Sequence, residues 1–481
     1  MRNQYREKEE NDPVTMQEKL KRFFGVQDMT QGKPMTGLIR FSIPLLIGNL
    51  AQQLYNTVDS IIVGQYVGDA ALAAVGTSGP ILNLLLVLFM GVSTGATILT
   101  SQFFGAKDKE NLSLVVGNTI SLTILCGVFM MVVGYIASPV LIRLVNPPPE
   151  VEHGAVAYLQ ILFLGMVGCA LYNILSGVLR GMGDSVFPLL YLLLSCLLNI
   201  VLDIVFVKNF GLGVAGVAWA TIIAQGISGI LCLIRLGRMR DVVTVTRRSL
   251  RLNGQLTRKL CGLGLPAGVT QAIFSLSSII VQGLTNSLGT AVIAASVAVM
   301  RVDGFAMMPN FTFGTAATTF VGQNVGARQP ERIHRGTRDM LVLALSVAAV
   351  LVLCILLFGH QLIGMFTSTP EVQEIGQRGL QWLAFGYLCF AVTQVLQGVM
   401  RGAGETVAPM WISIINTVII RMPLAYLMAY LSRSAQWPNG HPDAIFASLL
   451  ITWIAGMLMS VAVYRVGKWR KRLPEGMRGA M

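Results

Sequence analysis

The sequence contains few charged residues. Asp, Glu, Lys and Arg make up 12% of its 481 residues, and hydrophobic residues make up 54%. Soluble domains are about 25% charged, because their surface needs charge. The mean hydropathy is +0.65. This composition excludes a soluble globular enzyme, a coiled coil and a disordered chain, and it indicates a protein that lies in a membrane.

Sequence motifs for catalysis and cofactor binding are also missing. The chain has no GxxxxGK[ST] loop, no HExxH and no CxxC. Its four histidines fall at predicted loops or span ends, and its seven cysteines cannot all pair because their number is odd. We therefore expect no ATP-driven pump and no enzyme. We also expect no catalytic residue, no cofactor and no metal ion other than a coupling Na⁺.

Apolar runs long enough to cross a bilayer occur along the whole chain. A transmembrane helix needs about 20 mostly apolar residues. Seven runs lack charge: 111–142, 154–179, 209–234, 304–327, 340–359, 379–400 and 444–464. Two longer runs each hold a span and a loop: 70–106 and 260–300. Three spans carry internal charges: 41–63, 187–207 and 409–431. We predict an all-α polytopic membrane protein with 12 transmembrane helices.

Lys and Arg are concentrated in three segments. Residues 1–40 hold eight of them, residues 235–259 hold eight, and residues 465–478 hold six. Basic loops remain on the cytoplasmic side of a membrane. We interpret the net charge of +13 as this orientation signal, which places both termini in the cytoplasm. We expect no nucleic-acid partner.

The two halves of the chain are an internal repeat. QFFGAK at 102–107 matches QNVGAR at 323–328, and GVLRGMGD at 177–184 matches GVMRGAGE at 398–405. Both matches have the same spacing, which indicates a duplication. Six spans in each half is an even number, so the halves enter the membrane from the same side. Two six-helix lobes related by a pseudo-two-fold axis along the membrane normal favour a secondary transporter.

The repeat and the apolar runs together predict five regions. They are a cytoplasmic N-terminal tail at 1–35, an N-lobe at 36–234, a basic cytoplasmic linker at 235–259, a C-lobe at 260–465, and a basic cytoplasmic C-terminal tail at 466–481.

Polar residues in the first span share one helical face. Asn49, Gln52, Asn56 and Asp59 are spaced by three or four residues. An ionisable side chain at bilayer depth costs at least about 2.5–3.5 kcal/mol on insertion scales, and such residues usually face an internal cavity. We predict that Asp59 is functional and that the other three are candidates for the lining of a cavity.

The fifth and sixth spans carry a second polar group. Asn199 and Asp203 are one helical turn apart, and Thr221 follows in the sixth span. Together with Asp59 they supply oxygen ligands, which suit a hard cation. A pair of buried carboxyl groups also suits a proton. The sequence predicts a site for a coupling H⁺ or Na⁺ in the N-lobe, formed by Asp59, Asn199, Asp203 and Thr221.

Charged residues in the spans of the second half have two open interpretations. Arg301 and Asp303 lie near the start of the eighth span, and Arg421 lies in the eleventh. They either form structural pairs or face a substrate. We include Met300, Arg301, Asp303 and Met307 as candidates for cavity lining. The turns LRGMGD and MRGAGE are interpreted as hinges in which Arg180–Asp184 and Arg401–Glu405 pair at i, i+4.

Several motifs in order resemble those of a known family. VDSIIVG in the first span, GDAALAAVG after it, QFFGAKD after the second span and LRGMGD after the fourth are similar to the multidrug and toxic compound extrusion (MATE) transporters. The closer resemblance is to the DinF-like bacterial branch. It implies a 12-helix antiporter that exports cationic or amphiphilic drugs in exchange for H⁺ or Na⁺. We therefore expect a monomer in the bacterial cytoplasmic (inner) membrane.

The resemblance also assigns site residues. The acid of the family's first helix matches Asp59, and its N-lobe ion-site pattern matches Asn199, Asp203 and Thr221. A related branch has carboxylates in the seventh and tenth helices, where this chain has Phe274 and Phe390. That departure argues against a cation site in the C-lobe.

A flippase for a lipid-linked precursor is the alternative function. Distant relatives of that kind have a strongly cationic cavity for phosphate groups. Arg301 and Arg421 are the only cationic candidates that the sequence places inside spans. A receptor or a purely structural protein fits less well. The acidic residues in the spans of the N-lobe have no acidic counterpart at the aligned positions of the C-lobe.

Overall fold

The computed structural model describes residues 25–67, 69–145, 148–435 and 437–478. Within these ranges some side chains lie outside the description, among them those of Asn56 and Asp59. The described residues contain helices and turns and no β-strand.

Helices follow one another with short connections. In chain order they are α1 (Pro34–Ile62), α2 (Asp69–Gly105), α3 (Lys109–Val145), α4 (Pro149–Leu164), α5 (Met166–Gly181), α6 (Val186–Ile204), α7 (Gly213–Arg238), α8 (Gly254–Ser287), α9 (Thr290–Gly326), α10 (Pro330–Gly364), α11 (Pro370–Gly402), α12 (Val407–Ile414), α13 (Met422–Leu431), α14 (Asp443–Val466) and α15 (Glu475–Arg478). Short π-helical segments at Val63–Val67, Val205–Asn209 and Ile415–Arg421 extend α1 and α6 and join α12 to α13. A 3₁₀ turn, Lys468–Arg472, precedes α15.

The prediction of twelve spans is confirmed. Ten described helical stretches are long and apolar enough to cross a membrane, and the pair α4–α5, bent by 55°, is an eleventh. Helix α2 has 37 residues and contains most of the apolar run 70–106, in which the sequence predicts the remaining span. The outer surface is apolar, as a lipid-facing surface requires: Ile136, Val350 and Leu357 are each more than 60% exposed.

The repeat extends to the backbone of the turns. Lys107 and Arg328, which the repeat aligns, both have φ of 55°. Gly183 and Gly404, also aligned, both have φ of 87°. Left-handed φ values favour glycine, so a match at these positions is specific. The two halves therefore have the same turn geometry as well as the same helix order.

The first helix of each half also contacts the other half. Helix α1 packs along α6 of its own lobe and against α9 and α10 of the C-lobe. Helix α8 packs along α2 of the N-lobe. In α8, Gly264 and Gly268 allow its backbone to approach Gly91 of α2 closely. The lobes are thus joined through α1 and α8, and α2 also packs against α9.

The lobes close on one another at the ends of α2 and α9. A Cβ atom on Gly105 would collide with the carbonyl of Gln323, and a Cβ atom on Gly326 would collide with the carbonyl of Gln102. Gln323 Nε2 donates to Gly181 O at 3.1 Å, and Gln102 Nε2 donates to Gly402 O at 3.0 Å. These reciprocal contacts relate QFFGAK to QNVGAR by the pseudo-two-fold axis. We call this set of six residues the seal.

The described segments that lie nearest the two termini pack near the seal. Residues 25–33 cross it, and Met29 is only 2% exposed. In the C-terminal region, Trp469, Leu473 and Met477 are buried in the same apolar cluster as Met29 and Leu38. The predicted C-terminal tail is therefore folded up to Arg478. Residues 1–24, which hold most of the predicted N-terminal tail, lie outside the described residues.

Candidate functional site

A cavity lies between the lobes, next to the seal. Its volume is about 470 Å³. In α2 its lining runs from Thr97, near the seal, to Met90, two turns further away. Asn49 of α1 lines it and donates through Nδ2 to Thr312 Oγ1 of α9 at 2.9 Å. A cavity of this size and position is the expected place for a small-molecule substrate.

The end of the cavity nearest the seal is polar and symmetric. The repeat aligns the lining residues in pairs: Thr94 with Thr315, Thr97 with Thr318, Asn173 with Gln394, and Arg180 with Arg401. Thr97 Oγ1 donates to Gly177 O at 2.9 Å, and Thr318 Oγ1 donates to Gly398 O at 3.2 Å. Each hydroxyl thus joins two helices of its own lobe in the same way.

The C-lobe contributes an aromatic wall to the cavity. Phe311 and Phe390 are in edge contact with ring centroids 5.5 Å apart, and Phe390 contacts Trp453 at 5.6 Å. Phe274 of α8 also lines the cavity. Aromatic faces of this kind bind apolar groups of varied shape. The cavity therefore combines one polar end with one apolar wall.

The predicted i, i+4 pairs of the Gly-rich turns are wrong. Asp184 Oδ2 pairs with Arg235 at 2.9 Å, and Glu405 Oε2 pairs with Arg472 at 3.1 Å. The reason is that helices α5 and α11 end before these acids. Asp184 instead accepts from Phe187 N at 3.2 Å, and Glu405 accepts from the backbone N–H groups at the start of α12.

The arginines of these turns face the cavity. Arg180 and Arg401 both line it, as does Arg421. The sequence interpretation missed the first two, because it treated LRGMGD and MRGAGE as hinges outside the membrane. The available signal was the repeat itself, which keeps an arginine at both aligned positions.

The N-lobe polar residues form a buried cluster. Asn199 is 1% exposed and Asp203 is fully buried. In the amide orientation that satisfies its neighbours, Asn199 Nδ2 donates to Asp203 Oδ2 at 3.0 Å and Asn199 Oδ1 accepts from Thr221 N at 3.3 Å. Thr221 Oγ1 donates to Val217 O at 3.0 Å. The structure thus brings three of the four predicted site residues together.

The fourth predicted residue, Asp59, has its side chain outside the described residues. Its backbone lies in α1, which packs along α6. A Cβ atom on Gly48 would lie 3.8 Å from Leu192 Cδ2. Asp59 lies as far beyond Gly48 in α1 as Asp203 lies beyond Leu192 in α6. Helices α1 and α6, the first and fifth spans, run in the same direction. The backbones of Asp59 and Asp203 therefore lie at a similar depth in the membrane.

The candidates for cavity lining occupy different environments. Asn49 lines the cavity and Gln52 is partly buried one turn further along α1, while the side chain of Asn56 lies outside the described residues. Met300 and Arg301 are exposed on α9, and Met307 packs against the C-lobe core. The Asp303 carboxyl lies near enough to the Tyr387 hydroxyl and the Arg421 guanidinium to interact electrostatically with both.

Comparison with known protein families gives one match in each half of the chain. The MatE family model matches residues 44–205 and again residues 266–427, which together exceed half of the chain. The chain belongs to the MatE family. Because one model matches twice, the comparison also agrees with an internal repeat.

MatE-family relatives match nearly the whole chain. "Probable multidrug resistance protein YoeA" of Bacillus subtilis (strain 168) is 32% identical over 423 residues, covering 86% of this chain and 91% of the relative. "Probable multidrug resistance protein NorM" of Thermotoga maritima is 26% identical and covers 90% of this chain and 93% of its own length. A solved outward-facing multidrug resistance MATE transporter of the MOP superfamily has a TM-score of 0.83 at 25% identity, covering 92% and 98% of the two chains.

Proposed function

We propose that this MatE-family protein is a secondary active antiporter that exports amphiphilic organic compounds, drugs among them, in exchange for H⁺ or Na⁺. Its multidrug-resistance relatives support the export of drugs. The architecture supports alternating access, because a cavity between two lobes is closed at one end by the seal.

The buried cluster of Asp203, Asn199 and Thr221 is the observation that carries this proposal. The Asp203 carboxyl is 0% exposed and accepts a hydrogen bond from the Asn199 amide. None of the three residues lines the substrate cavity. Burial disfavours the charged form of a carboxyl group, so uptake of H⁺ or Na⁺ by Asp203 stabilises the packed form of α6 and α7. The ion then acts on the cavity through the shape of the N-lobe.

The π-helical segment next to Asp203 supports this coupling. Val205–Asn209 begins two residues after Asp203. π-helical turns inside α-helices are frequent at functional sites. We assign the basic loops to the cytoplasmic face of the bacterial inner membrane, with both termini there and one chain as the functional unit. The seal then closes the cytoplasmic side.

Transport in proteoliposomes tests the proposal. The probes are fluorescent amphiphiles of both charges, and a pH gradient and a Na⁺ gradient are imposed separately. We expect one gradient to drive transport in the wild type and Asp203→Asn to abolish it. Asp241→Asn in the exposed linker is the matched control and should transport normally. Full transport by a correctly reconstituted Asp203→Asn protein would exclude this mechanism.

The flippase for a lipid-linked precursor remains the second candidate. Arg180 and Arg401 favour it, because they add two cationic groups to the cavity that the sequence interpretation did not count. Accumulation of a lipid-linked precursor after gene deletion, with no gradient-driven transport of amphiphiles by the purified protein, would favour the flippase over the antiporter.

A further inference from the structure

The cavity lining has a charge of one sign. Among the described residues that line it, Arg180, Arg401 and Arg421 are charged and no carboxylate is present. The remaining lining residues are hydroxyl, amide, aliphatic and aromatic side chains. A positive group therefore meets no opposite charge within the described lining itself.

Arg421 differs from the other two arginines. Asp303 of α9 interacts electrostatically with its guanidinium, although the two groups are not within salt-bridge distance. Arg180 and Arg401 form no salt bridge with a described residue. Their nearest acids in sequence, Asp184 and Glu405, are paired with arginines outside the cavity. Within the described part of the chain, Arg180 and Arg401 thus lack the carboxylate interaction that Arg421 has with Asp303.

These two arginines occupy repeat-related positions in the cavity lining. Each immediately precedes a glycine of the seal: Gly181, whose carbonyl accepts from Gln323, and Gly402, whose carbonyl accepts from Gln102. Because the repeat relates the two positions, the side chains approach the same end of the cavity from opposite lobes. Arg401 also reaches α9, where its Nη2 lies 3.5 Å from the position of a Cβ on Gly314.

A purely structural role accounts poorly for this arrangement. A guanidinium that anchors helices is normally held by a carboxylate, because charge removed from water needs a partner. Two guanidinium groups without a described carboxylate partner at one end of the cavity instead offer several N–H donors to an anion. Guanidinium groups bind phosphate and carboxylate oxygens in pairs of parallel hydrogen bonds. The polar end of the cavity has the chemistry of an anion site.

We propose that the substrate is an anionic amphiphile. Its phosphate or carboxylate group binds between Arg180 and Arg401, and its apolar part packs against the aromatic wall of Phe311, Phe390 and Trp453. The inference rests on the proposed function for its transport and narrows the substrate of that function. Because each lobe supplies one arginine, the bound anion holds the lobes together at the seal, and opening the seal releases it.

Equilibrium binding to the full-length protein in nanodiscs tests this inference. The probes are a fluorescent alkyl phosphate and an alkyl trimethylammonium with the same chain and fluorophore. We expect the wild type to bind the phosphate at least about tenfold more tightly, a difference of 1.4 kcal/mol. Affinity for the phosphate should fall as the salt concentration rises. Equal or tighter binding of the trimethylammonium probe would overturn the inference.

Substitution of the arginines adds a second readout. Arg180→Gln and Arg401→Gln should each weaken phosphate binding by about tenfold or more while leaving the cationic probe unaffected. Arg180→Lys keeps the charge but cannot form two parallel hydrogen bonds to the anion. Its affinity for the phosphate probe should lie between those of the wild type and the glutamine variants. Arg143→Gln, an arginine 74% exposed and remote from the cavity, is the matched control. Unchanged phosphate binding in both glutamine variants would contradict the proposed site.

Further measurements distinguish a lipid ligand from a free amphiphile, and the anion site from the antiporter proposal. Competition by an unlabelled phosphate-headgroup lipid against a single-chain alkyl phosphate identifies whether lipid or free amphiphile is the better ligand, and both support an anion site. If the wild type binds the anionic probe but no ion gradient moves it, the antiporter proposal fails and the anion site stands. If the glutamine variants misfold, the two probes compared on the wild type decide alone.

Discussion

At the scale of single residues, Asn199 is the centre of the N-lobe cluster, because one amide contacts both Asp203 and Thr221. Asn199→Leu keeps the volume and removes both hydrogen bonds. An unsatisfied buried polar group costs about 1–3 kcal/mol. We expect gradient-driven transport to fall by about tenfold or more. Thr221→Ser retains the hydroxyl and should transport normally, and wild-type transport by Asn199→Leu would remove Asn199 from the mechanism.

Asp184 and Arg235 form a buried ion pair that affects stability rather than transport. The Asp184 side chain is 0% exposed, and the Arg235 guanidinium lies 3.7 Å above the Phe187 ring. Burial raises the pKa of the Asp184 carboxyl, and Arg235 opposes that rise. Removal of Arg235 therefore leaves a buried carboxyl group whose pKa rises further.

Arg235→Gln should lower the free energy of unfolding by about 3–5 kcal/mol at neutral pH. The raised pKa means that the folded protein binds the proton more tightly than the unfolded chain, so the variant loses stability as pH rises. Thermal unfolding of the purified protein in mild acid and at neutral pH checks this. The double variant with Asp184→Asn should lose the pH dependence; equal destabilisation at both pH values would contradict the argument.

The sequence predicted the residues of the buried N-lobe cluster better than those of the cavity. Asn199 and Asp203 could be found because a carboxyl and an amide one turn apart are conspicuous in an apolar span. Arg180 and Arg401 were missed although the repeat aligns them, because each follows a span and precedes a turn, where arginine usually faces water. Their direction depends on how two lobes pack, which no local pattern encodes.

At the scale of helices and turns, the repeat explains why QFFGAK and QNVGAR keep a glutamine and a glycine at matching positions. Each glycine admits the carbonyl of the other lobe's glutamine, and each glutamine side chain binds the other lobe's backbone. Sequence comparison of the halves found these motifs, and hydropathy found the spans. The 55° bend between α4 and α5 and the π-helical segments were not predicted, because they break helical regularity inside apolar runs.

Gly105→Ala should open the seal. The added Cβ would collide with backbone atoms of Gln323, and these cannot move aside as the end of a flexible side chain could. We expect the population to shift toward the state open on that face. The measurement is labelling of a single cysteine, Thr315→Cys, by an impermeant maleimide from each side, in a variant without the seven native cysteines.

Gly262→Ala is the matched control for this change. Gly262 lies in α8 with nothing within 4 Å of an added Cβ, so the same substitution should leave the labelling unchanged. If Gly105→Ala and Gly262→Ala gave the same labelling from both sides, the close contact at Gly105 would have no part in closing the cavity.

At the scale of the whole molecule, residues 25–32 join the two lobes across the seal. Gln27 N donates to Gly183 O of the N-lobe at 3.1 Å, and Met29 N donates to Gln323 Oε1 of the C-lobe at 2.9 Å. Arg332 of α10 donates to the carbonyls of Met29, Gln31 and Gly32. This segment, which sequence alone assigned to a tail, therefore stabilises the closed seal.

Arg332→Gln should weaken the attachment of residues 25–32 to the seal without changing a residue that lines the cavity. One side chain supplies three hydrogen bonds to the segment, at 2.7–3.1 Å, and a further bond at 3.1 Å to Asn324. Hydrogen exchange should become faster at residues 25–32, and labelling of Thr315→Cys from the seal side should increase. Arg335→Gln, one turn along the same helix and 75% exposed, is the control. Faster exchange without any change in labelling would mean that the segment covers the seal but does not keep it closed.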